Sequence, residues 1–147
     1  MKKNTHIGVY GLLIENEKIL LIKKAEGPYK NKLDLPGGSF KFKETPEEAL
    51  KREFKEETNL DVNDFKLYDV DSVYTTWKWN DVDTITHHIG IFYKITKYQN
   101  SIKENIDLDK DNNDSLGANF YNIKDLTKDN LSLIAILELE KLGYDLK

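Results

Sequence analysis

The strongest structural signal in this chain is the start of a helix at residues 45–48. Thr45 is a favourable N-cap residue, and Pro46 suits the first helical position because a proline has no backbone N–H to leave unpaired. Glu48 follows three residues after Thr45, which completes the capping-box pattern. We predict that the helix extends to about Thr58 and that Asn59 lies just past its end, because asparagine tolerates the left-handed conformation typical of that position.

Apolar and β-branched stretches on both sides of this helix predict strands. Residues 5–14 and 18–24 are expected to form a hairpin around residues 15–17, and Pro36-Gly37-Gly38 is expected to turn the chain sharply. After the helix, strand-like patterns occupy residues 65–71, 72–78, 84–96 and 118–121, and the second and third of these are predicted to form another hairpin. Leucine and isoleucine at helical spacing predict a C-terminal helix over residues 130–142 that ends at Gly143.

The remaining stretch and the overall length predict one domain. Residues 98–117 are polar and acidic without a periodic apolar pattern, so we predict a long loop, which in a compact domain is usually functional or disordered. The chain has 147 residues, and we find no internal repeat and no linker. We therefore expect a single domain over residues 1–147.

Composition narrows the classes of protein to which the chain can belong. No apolar run approaches the roughly 18 residues of a membrane span, so we expect no membrane partner. The first residues lack the apolar core and cleavage site of a signal peptide, which predicts cytoplasmic localisation. A net charge of −4 argues against a nucleic-acid-binding protein, and an anionic substrate would need a cation as mediator. The chain has no cysteine, so a metal ion would have oxygen or imidazole ligands.

Three glutamates of the predicted helix project from one side of it. At about 100° per residue, Glu53, Glu56 and Glu57 lie within an arc of roughly 100°, beside the buried face predicted for Leu50 and Phe54. Like charges three and four residues apart destabilise a helix by about 0.2 to 0.5 kcal/mol per pair, so helix energetics do not favour this arrangement. One interpretation is a solvated acidic face. The other is a site for Mg²⁺ or Mn²⁺, because these ions prefer hard carboxylate oxygens.

The same glutamates belong to a longer pattern that starts at Gly38. The sequence there is Gly38-x5-Glu44-x7-Arg52-Glu53-Phe54-x-Glu56-Glu57-x-Asn59-Leu60. This stretch of 23 residues resembles the Nudix box and departs from it once, where Asn59 replaces the usual glycine. The resemblance implies an α/β fold of the Nudix type, namely an α/β/α sandwich with a mixed central sheet, a catalytic loop and helix, and a C-terminal helix.

The resemblance also implies a reaction and assigns roles to individual residues. Family members hydrolyse a diphosphate bond in a nucleoside diphosphate linked to another group, with Mg²⁺ or Mn²⁺ as cofactor. Arg52, which is the only arginine of the chain, and Glu44 would hold the catalytic helix and the turn in place. Gly38 would be among the substrate-binding residues. The residues that the pattern assigns to the metal are Glu53, Glu56, Glu57 and, through its backbone carbonyl, Gly37.

The general base of the reaction is predicted to lie after the box. In the family this group, or an additional metal ligand, often comes from a loop on that side of the sequence. The aspartates available in the acidic stretch are Asp109, Asp111 and Asp114. We choose Asp114 because it is nearest to the strand predicted at residues 118–121, and a plain solvated loop is the alternative.

Substrate contacts are predicted at strand positions outside the box. Tyr74 and Trp77 are candidates for stacking on a nucleobase, although aromatic residues in strands more often pack against each other. Lys23 or Lys24 is a candidate for a phosphate contact, and a solvated strand end is the alternative. His87 shares a strand face with three isoleucines, so we expect a half-buried histidine with satisfied hydrogen bonds rather than a substrate contact.

Two kinds of function follow from the sequence. The first is a hydrolase that acts on a small nucleotide, most simply a nucleoside triphosphate, with dinucleoside polyphosphates and nucleotide sugars as alternatives. The second is a Nudix-fold domain that binds nucleotides without turnover, which the presence of all three acidic ligands disfavours. Hydrolases of ADP-ribose in this family tend to carry a proline shortly after the box, and no proline follows Pro46 here. A homodimer is left open.

Overall fold

The computed structural model describes residues 1–102 and 115–147. Eight strands and two α-helices follow one another in this part of the chain, with two short 3₁₀ turns before the second helix. These elements are β1 (Lys2–Leu12), β2 (Ile14–Glu15), β3 (Lys18–Lys24), β4 (Leu33–Asp34), β5 (Gly37–Ser39), α1 (Pro46–Thr58), β6 (Asp61–Trp79), β7 (Val82–Gln99), β8 (Ser115–Asn122) and α2 (Leu133–Lys141). Within the described ranges, no helix is long and apolar enough to cross a bilayer.

The strands form two sheets, which are joined by backbone hydrogen bonds next to β1 and β3. In the first sheet the order is β5-β1-β7-β6, with β1 parallel to β7 and the other neighbours antiparallel. In the second sheet β3 pairs antiparallel with β2, β4 and β8. Backbone hydrogen bonds of 3.0 Å from Leu20 N to Leu13 O and from Gly11 N to Pro36 O join the two sheets. The mixed sheet predicted from the sequence is therefore confirmed.

Alternation along the strands sends successive side chains into two separate cores. Tyr10 and Leu12 of β1 pack in the core that α2 covers, whereas Val9 and Leu13 pack in the core that α1 covers. The residues of β3 divide in the same way. Because one helix covers each side of the sheets, the architecture is the α/β/α sandwich that was predicted.

The hairpin predicted between residues 5–14 and 18–24 is wrong, because most of its first arm pairs with other strands. β1 pairs with β7 along its whole length and with β5 near its end. From the predicted first arm of the hairpin, the residue that pairs with β3 is Ile14, which forms the short strand β2 with Glu15. The apolar run in β1 is buried on both faces of the strand, as in the interior of parallel sheets, so β1 is a central strand with a partner on each edge. Pro36-Gly37-Gly38 likewise does more than turn the chain, because residues 37–39 form an edge strand against β1.

The second hairpin is confirmed and is longer than predicted. β6 and β7 pair from Asp61 to Trp79, and Asn80 and Asp81 form the connecting turn with φ of 50° and 64°. Positive φ at both central residues is typical of the turn that matches strand twist. Both ends of residues 98–117, which were predicted to be a loop, belong to strands, since β7 continues to Gln99 and β8 begins at residue 115.

The C-terminal helix is confirmed but begins three residues later than predicted. Ser132 caps it by accepting a 3.2 Å hydrogen bond from Ala135 N, and Lys128–Asn130 form a 3₁₀ turn instead. Near its end, Lys141 donates hydrogen bonds of 2.6 and 2.5 Å to Asp69 and Asp71 of β6. These two ion pairs fix α2 on the sheet.

One residue of α2 is a buried acid. Glu138 is 0% exposed, and no described residue donates a hydrogen bond to either of its carboxylate oxygens. Burial, followed by the neighbouring Asp69, raises the pKa of Glu138 from its ordinary value to about 8. The protonated form is therefore the one that suits this position at neutral pH.

Candidate active site

Helix α1 begins and ends where the sequence predicted. Thr45 Oγ1 accepts a 3.2 Å hydrogen bond from Glu48 N, and Glu48 Oε1 accepts one of 3.0 Å from Thr45 N, so the capping box is complete. At the other end Asn59 adopts the left-handed conformation with φ of 69°, and its N–H donates to Lys55 O at 3.1 Å. The glutamates of α1 are therefore held on a helix with defined ends.

Arg52 ties α1 to the preceding loop and to β5. Its Nε and Nη2 atoms bind the two oxygens of Glu44 at 2.6 and 2.9 Å, which is a bidentate pair. Nη2 also donates to the Ser39 carbonyl at 2.9 Å. The hydrogen bond from Arg52 is the main cause that lowers the pKa of Glu44 to about 2. Arg52 and Glu44 thus join α1 to the loop before it and to β5, and their role in catalysis stays a prediction.

Two of the three glutamates, Glu53 and Glu57, lie beside the glycines of β5. Glu57 is 1% exposed, and its Oε1 accepts a 2.8 Å hydrogen bond from Gly37 N. A side chain at Gly38 would lie 2.9 Å from the carboxylate of Glu53. Gly37 has a φ of 145°, and a Cβ there would lie 2.0 Å from the Val9 carbonyl. Both glycines are required because α1 and β1 approach the strand so closely.

The carboxylates of Glu53, Glu56 and Glu57 are of the kind that binds a divalent cation, but in this structure they contact other groups of the protein. Within residues 1–102 and 115–147, no group of three or more acidic or histidine side chains is arranged to hold a metal ion. Arg52 Nη1 instead lies 3.0 Å from Glu53 and 3.3 Å from Glu56, while Glu57 binds Gly37 N. Hard oxygen donors on one helix face, beside the two glycines of β5, fit Mg²⁺ or Mn²⁺. Glu53 and Glu56 would have to turn from Arg52 to bind it.

A cavity of about 210 Å³ lies on the other side of β1. Tyr10 lines this cavity and also pairs with Gly37 across the edge of the sheet, so it connects the cavity with the glutamates. Burial and then the nearby charges of Asp34, Tyr29, Glu57 and Glu53 raise the pKa of Tyr10. The cavity and the acidic face of α1 are therefore neighbours.

A buried histidine lies in the wall of the cavity between two tyrosines. Tyr10 Oη is 2.6 Å from His88 Nε2, and Tyr29 Oη is 2.8 Å from His88 Nδ1. Burial is the main cause that lowers the pKa of His88 to about 3, so the ring is neutral at physiological pH. A neutral imidazole has one donor and one acceptor, so one tyrosine donates to the ring and the other accepts from it.

A pair of tryptophans lines part of the cavity. Trp77 and Trp79 stack with ring centroids 5.5 Å apart, and Lys2 Nζ lies 4.0 Å from the centre of the Trp79 ring. Trp77 Nε1 donates to Thr86 Oγ1 at 2.9 Å, and the Thr86 hydroxyl donates to Asn4 Oδ1 at 2.5 Å. Of the aromatic residues predicted to stack on a base, Trp77 thus lines the cavity.

The other predicted contact residues lie elsewhere. Tyr74 is on the opposite face of the sheet, 67% exposed, and stacks on His87 at 4.8 Å. Lys23 is exposed near the end of β3, whereas its neighbour Lys24 lines the cavity. Asp114, with Asp109 and Asp111, lies outside the described residues.

Sequence reasoning missed most of the polar residues that line the cavity. It singled out His87, which is half-buried as expected, but the buried histidine is His88. It also passed over Asp34, which is 2% exposed and accepts hydrogen bonds from Leu35 N at 2.8 Å and Ser132 Oγ at 2.6 Å. The signal available was an acidic residue between two leucines directly before Pro-Gly-Gly.

Comparison with known sequences gives a consistent result. A sequence model of the NUDIX domain matches residues 4–138. An ADP-ribose pyrophosphatase from Methanocaldococcus jannaschii is 32% identical over 122 residues, which are 83% of this chain and 64% of that protein. An 8-oxo-dGTP diphosphatase from Escherichia coli is 33% identical over 84 residues, which are 52% of this chain and 65% of that protein. The matches to these two relatives span just under two thirds of their length.

Solved structures with similar folds include two MutT proteins. A MutT Nudix hydrolase from Burkholderia pseudomallei has a TM-score of 0.75 at 22% identity, over 95% of this chain and 98% of that one. The MutT protein from Methanosarcina mazei has a TM-score of 0.65 at 19% identity, over 96% of this chain and 94% of that one. At these identities the likeness shows the fold. Since the NUDIX domain match covers nearly the whole chain, the protein belongs to the Nudix family.

Proposed function

We propose that this protein is a divalent-metal-dependent hydrolase that cleaves the diphosphate bond of a nucleoside diphosphate derivative, with residues 1–147 acting as one cytoplasmic domain. The observation that carries the proposal is the position of the acidic face of α1. Two of its three glutamates, Glu53 and Glu57, lie against Gly38 and Gly37 of β5, and Tyr10 connects this face with a cavity lined by aromatic and polar side chains. Polar groups of this kind in an aromatic cavity are typical of small-molecule sites.

Nudix enzymes in general use divalent metal ions, and we propose Mg²⁺ or Mn²⁺ for this chain. The groups that would hold the ion are Glu53, Glu56, Glu57 and the Gly37 carbonyl. Such an ion neutralises the diphosphate and activates a water molecule for attack at phosphorus. Asp114 stays our predicted general base.

The chain's own residues would position the diphosphate and keep α1 in place. Arg52 and Glu44 hold α1 against β5, so the three glutamates keep a fixed relation to Gly38. The missing side chain at Gly38 would let the diphosphate approach the glutamates closely. Lys24, which lines the cavity, is better placed than Lys23 to contact the rest of the substrate.

The cavity is the proposed nucleoside pocket. Trp77 offers an aromatic face at its mouth for stacking on a base, and Tyr10 joins the pocket to the glutamates. The substrate class with the most support is a nucleoside triphosphate, including oxidised forms, because two curated relatives are named 8-oxo-dGTP diphosphatase. The ADP-ribose pyrophosphatase among the relatives makes a nucleotide sugar the second candidate.

A panel assay tests the proposal. Nucleoside triphosphates, dinucleoside polyphosphates and nucleotide sugars are incubated with Mg²⁺ or Mn²⁺, and products are separated by chromatography. We expect turnover of at least one class that requires the metal. The Glu57→Gln variant should lose about 10³-fold or more in kcat, because it removes a charged ligand that neutralises the diphosphate.

The matched control is Glu47→Gln, which removes an exposed carboxylate from the first turn of the same helix. It should keep wild-type activity. Near-wild-type turnover by Glu57→Gln would refute the metal-ligand role. Metal-dependent binding of a nucleotide without any turnover would instead support the non-catalytic alternative.

A further inference from the structure

A chain of hydrogen bonds fixes the orientation of the Asn4 side-chain amide. The indole N–H of Trp77 can only donate, and it points at Thr86 Oγ1 from 2.9 Å. Thr86 is 2% exposed, so its own hydroxyl proton needs an acceptor within the protein. Among the described residues, the side chain recorded as accepting from Thr86 is Asn4, 2.5 Å away, which must therefore turn its carbonyl oxygen towards Thr86.

The consequence is that Thr86 engages the Asn4 carbonyl, so the amino group is the part of this amide that a ligand in the cavity can use. Asn4, Trp77 and Thr86 all line the cavity. Asn4 lies four residues before Gly8, which pairs with β5 next to Gly38, so it is about 14 Å along β1 from that point. A nucleotide with its diphosphate at Gly38 would place its base, rather than its sugar, near Asn4.

We propose that Asn4 selects substrates whose base carries a carbonyl oxygen, such as hypoxanthine, guanine or uracil, over bases with an amino group in its place. The proposal rests on the proposed function, since it takes the cavity as the nucleoside pocket. An asparagine that recognises adenine uses both its carbonyl and its amino group. Here the Asn4 carbonyl already accepts a hydrogen bond from Thr86, so Asn4 cannot bind adenine through both groups. The exocyclic amino group of such a base would meet the N–H donors of Asn4 and would have no acceptor there.

Two pairs of nucleotides isolate this effect. ITP and ATP differ at C6, where one has a carbonyl and the other an amino group, and UTP and CTP differ in the same way at C4. We expect kcat/KM to be about tenfold or more higher for ITP than for ATP and for UTP than for CTP, because one well-placed base contact discriminates by about that much.

Variants test whether Asn4 is responsible. In Asn4→Asp the carboxylate still accepts from Thr86 but offers a second acceptor in place of the amino group, so the preference should reverse in favour of ATP and CTP. Asn63→Asp adds the same charge at an exposed position of β6 and should leave the ratios unchanged. Thr86→Val frees the Asn4 amide to rotate, and both ratios should move towards one.

The outcomes separate this proposal from the proposed function. An active enzyme that prefers ATP and CTP, or ratios that stay the same in Asn4→Asp, would overturn the role of Asn4 and leave the hydrolase intact. If no nucleotide is turned over, the hydrolase proposal fails, and Kd values of the four nucleotides from calorimetry decide the role of Asn4 by the same ratios. Absence of binding by all four would overturn both proposals.

Discussion

Replacing the buried Glu138 by glutamine should remove a pH dependence from the stability of the fold. Glu138 is fully buried in α2, and burial raises its pKa from 4.5 to about 8. The unfolded chain loses this proton near pH 4.5, whereas the folded protein keeps it until about pH 8. Between these values the folded state binds more protons than the unfolded state, so the free energy of unfolding falls as the pH rises.

The size of the effect follows from the same pKa. Each pKa unit is worth about 1.4 kcal/mol, so a rise from 4.5 to about 8 corresponds to an upper limit of about 5 kcal/mol. Rearrangement around a newly charged group reduces the loss, and we expect about 2 to 4 kcal/mol between pH 5 and pH 9. For a domain of this kind, with a total stability of about 5 to 15 kcal/mol, that is a large fraction.

Urea denaturation followed by tryptophan fluorescence at pH 5, 6, 7, 8 and 9 measures this effect. Glu138→Gln and wild type should have similar free energies of unfolding at pH 5, and the variant should become the more stable one as the pH rises. The control is Glu140→Gln, an exposed neighbour on α2, which should show a small and constant difference. A difference between Glu138→Gln and wild type that does not change with pH would refute the reasoning.

Three further substitutions, at two positions, test the supports of the acidic helix. Arg52→Lys keeps the charge but loses the bidentate pair with Glu44 and the bond to Ser39, so we expect about 2 kcal/mol less stability without metal and lower kcat. Wild-type values of both melting temperature and kcat would contradict this. Asn59→Gly should cost less than about 1 kcal/mol, including the lost hydrogen bond to Ser101, because glycine adopts the same left-handed conformation. Asn59→Val should cost about 1 to 3 kcal/mol, because a β-branched residue is strained there. Equal urea midpoints for the two Asn59 variants would show that α1 does not end at this residue.

Local chemistry made α1 and its acidic face predictable. The capping box, the proline and the asparagine at the C-terminal end act within one or two turns, so the sequence contains everything that sets the helix ends. The angular spacing of the glutamates then follows from helix geometry. The bidentate pair of Arg52 with Glu44 followed from the family pattern, and its bond to Ser39 needed the fold.

The partners of β1 and the polar lining of the cavity could not be predicted in this way. Which strands flank β1 depends on pairing with β7, far along the chain. In β7, Ile85, Ile89 and Ile91 lie on the half-exposed face, while Thr86 and His88 face the buried side. The half-buried position of His87 was predicted correctly, but the pattern gave no sign that the opposite face of β7 carries buried polar residues against a cavity.

The parallel pairing of β1 with β7 also bears on the order in which the molecule assembles. Every residue of β1 pairs with one that lies 82 positions further along the chain, whereas β6 and β7 are joined by a two-residue turn. Closing the longer loop costs more chain entropy, so we expect the hairpin to form early and β1 to dock late. The nascent helix α1 would carry its glutamates before Gly37 and Gly38 have a strand to pair with. Completion of the site would then coincide with the last step of folding.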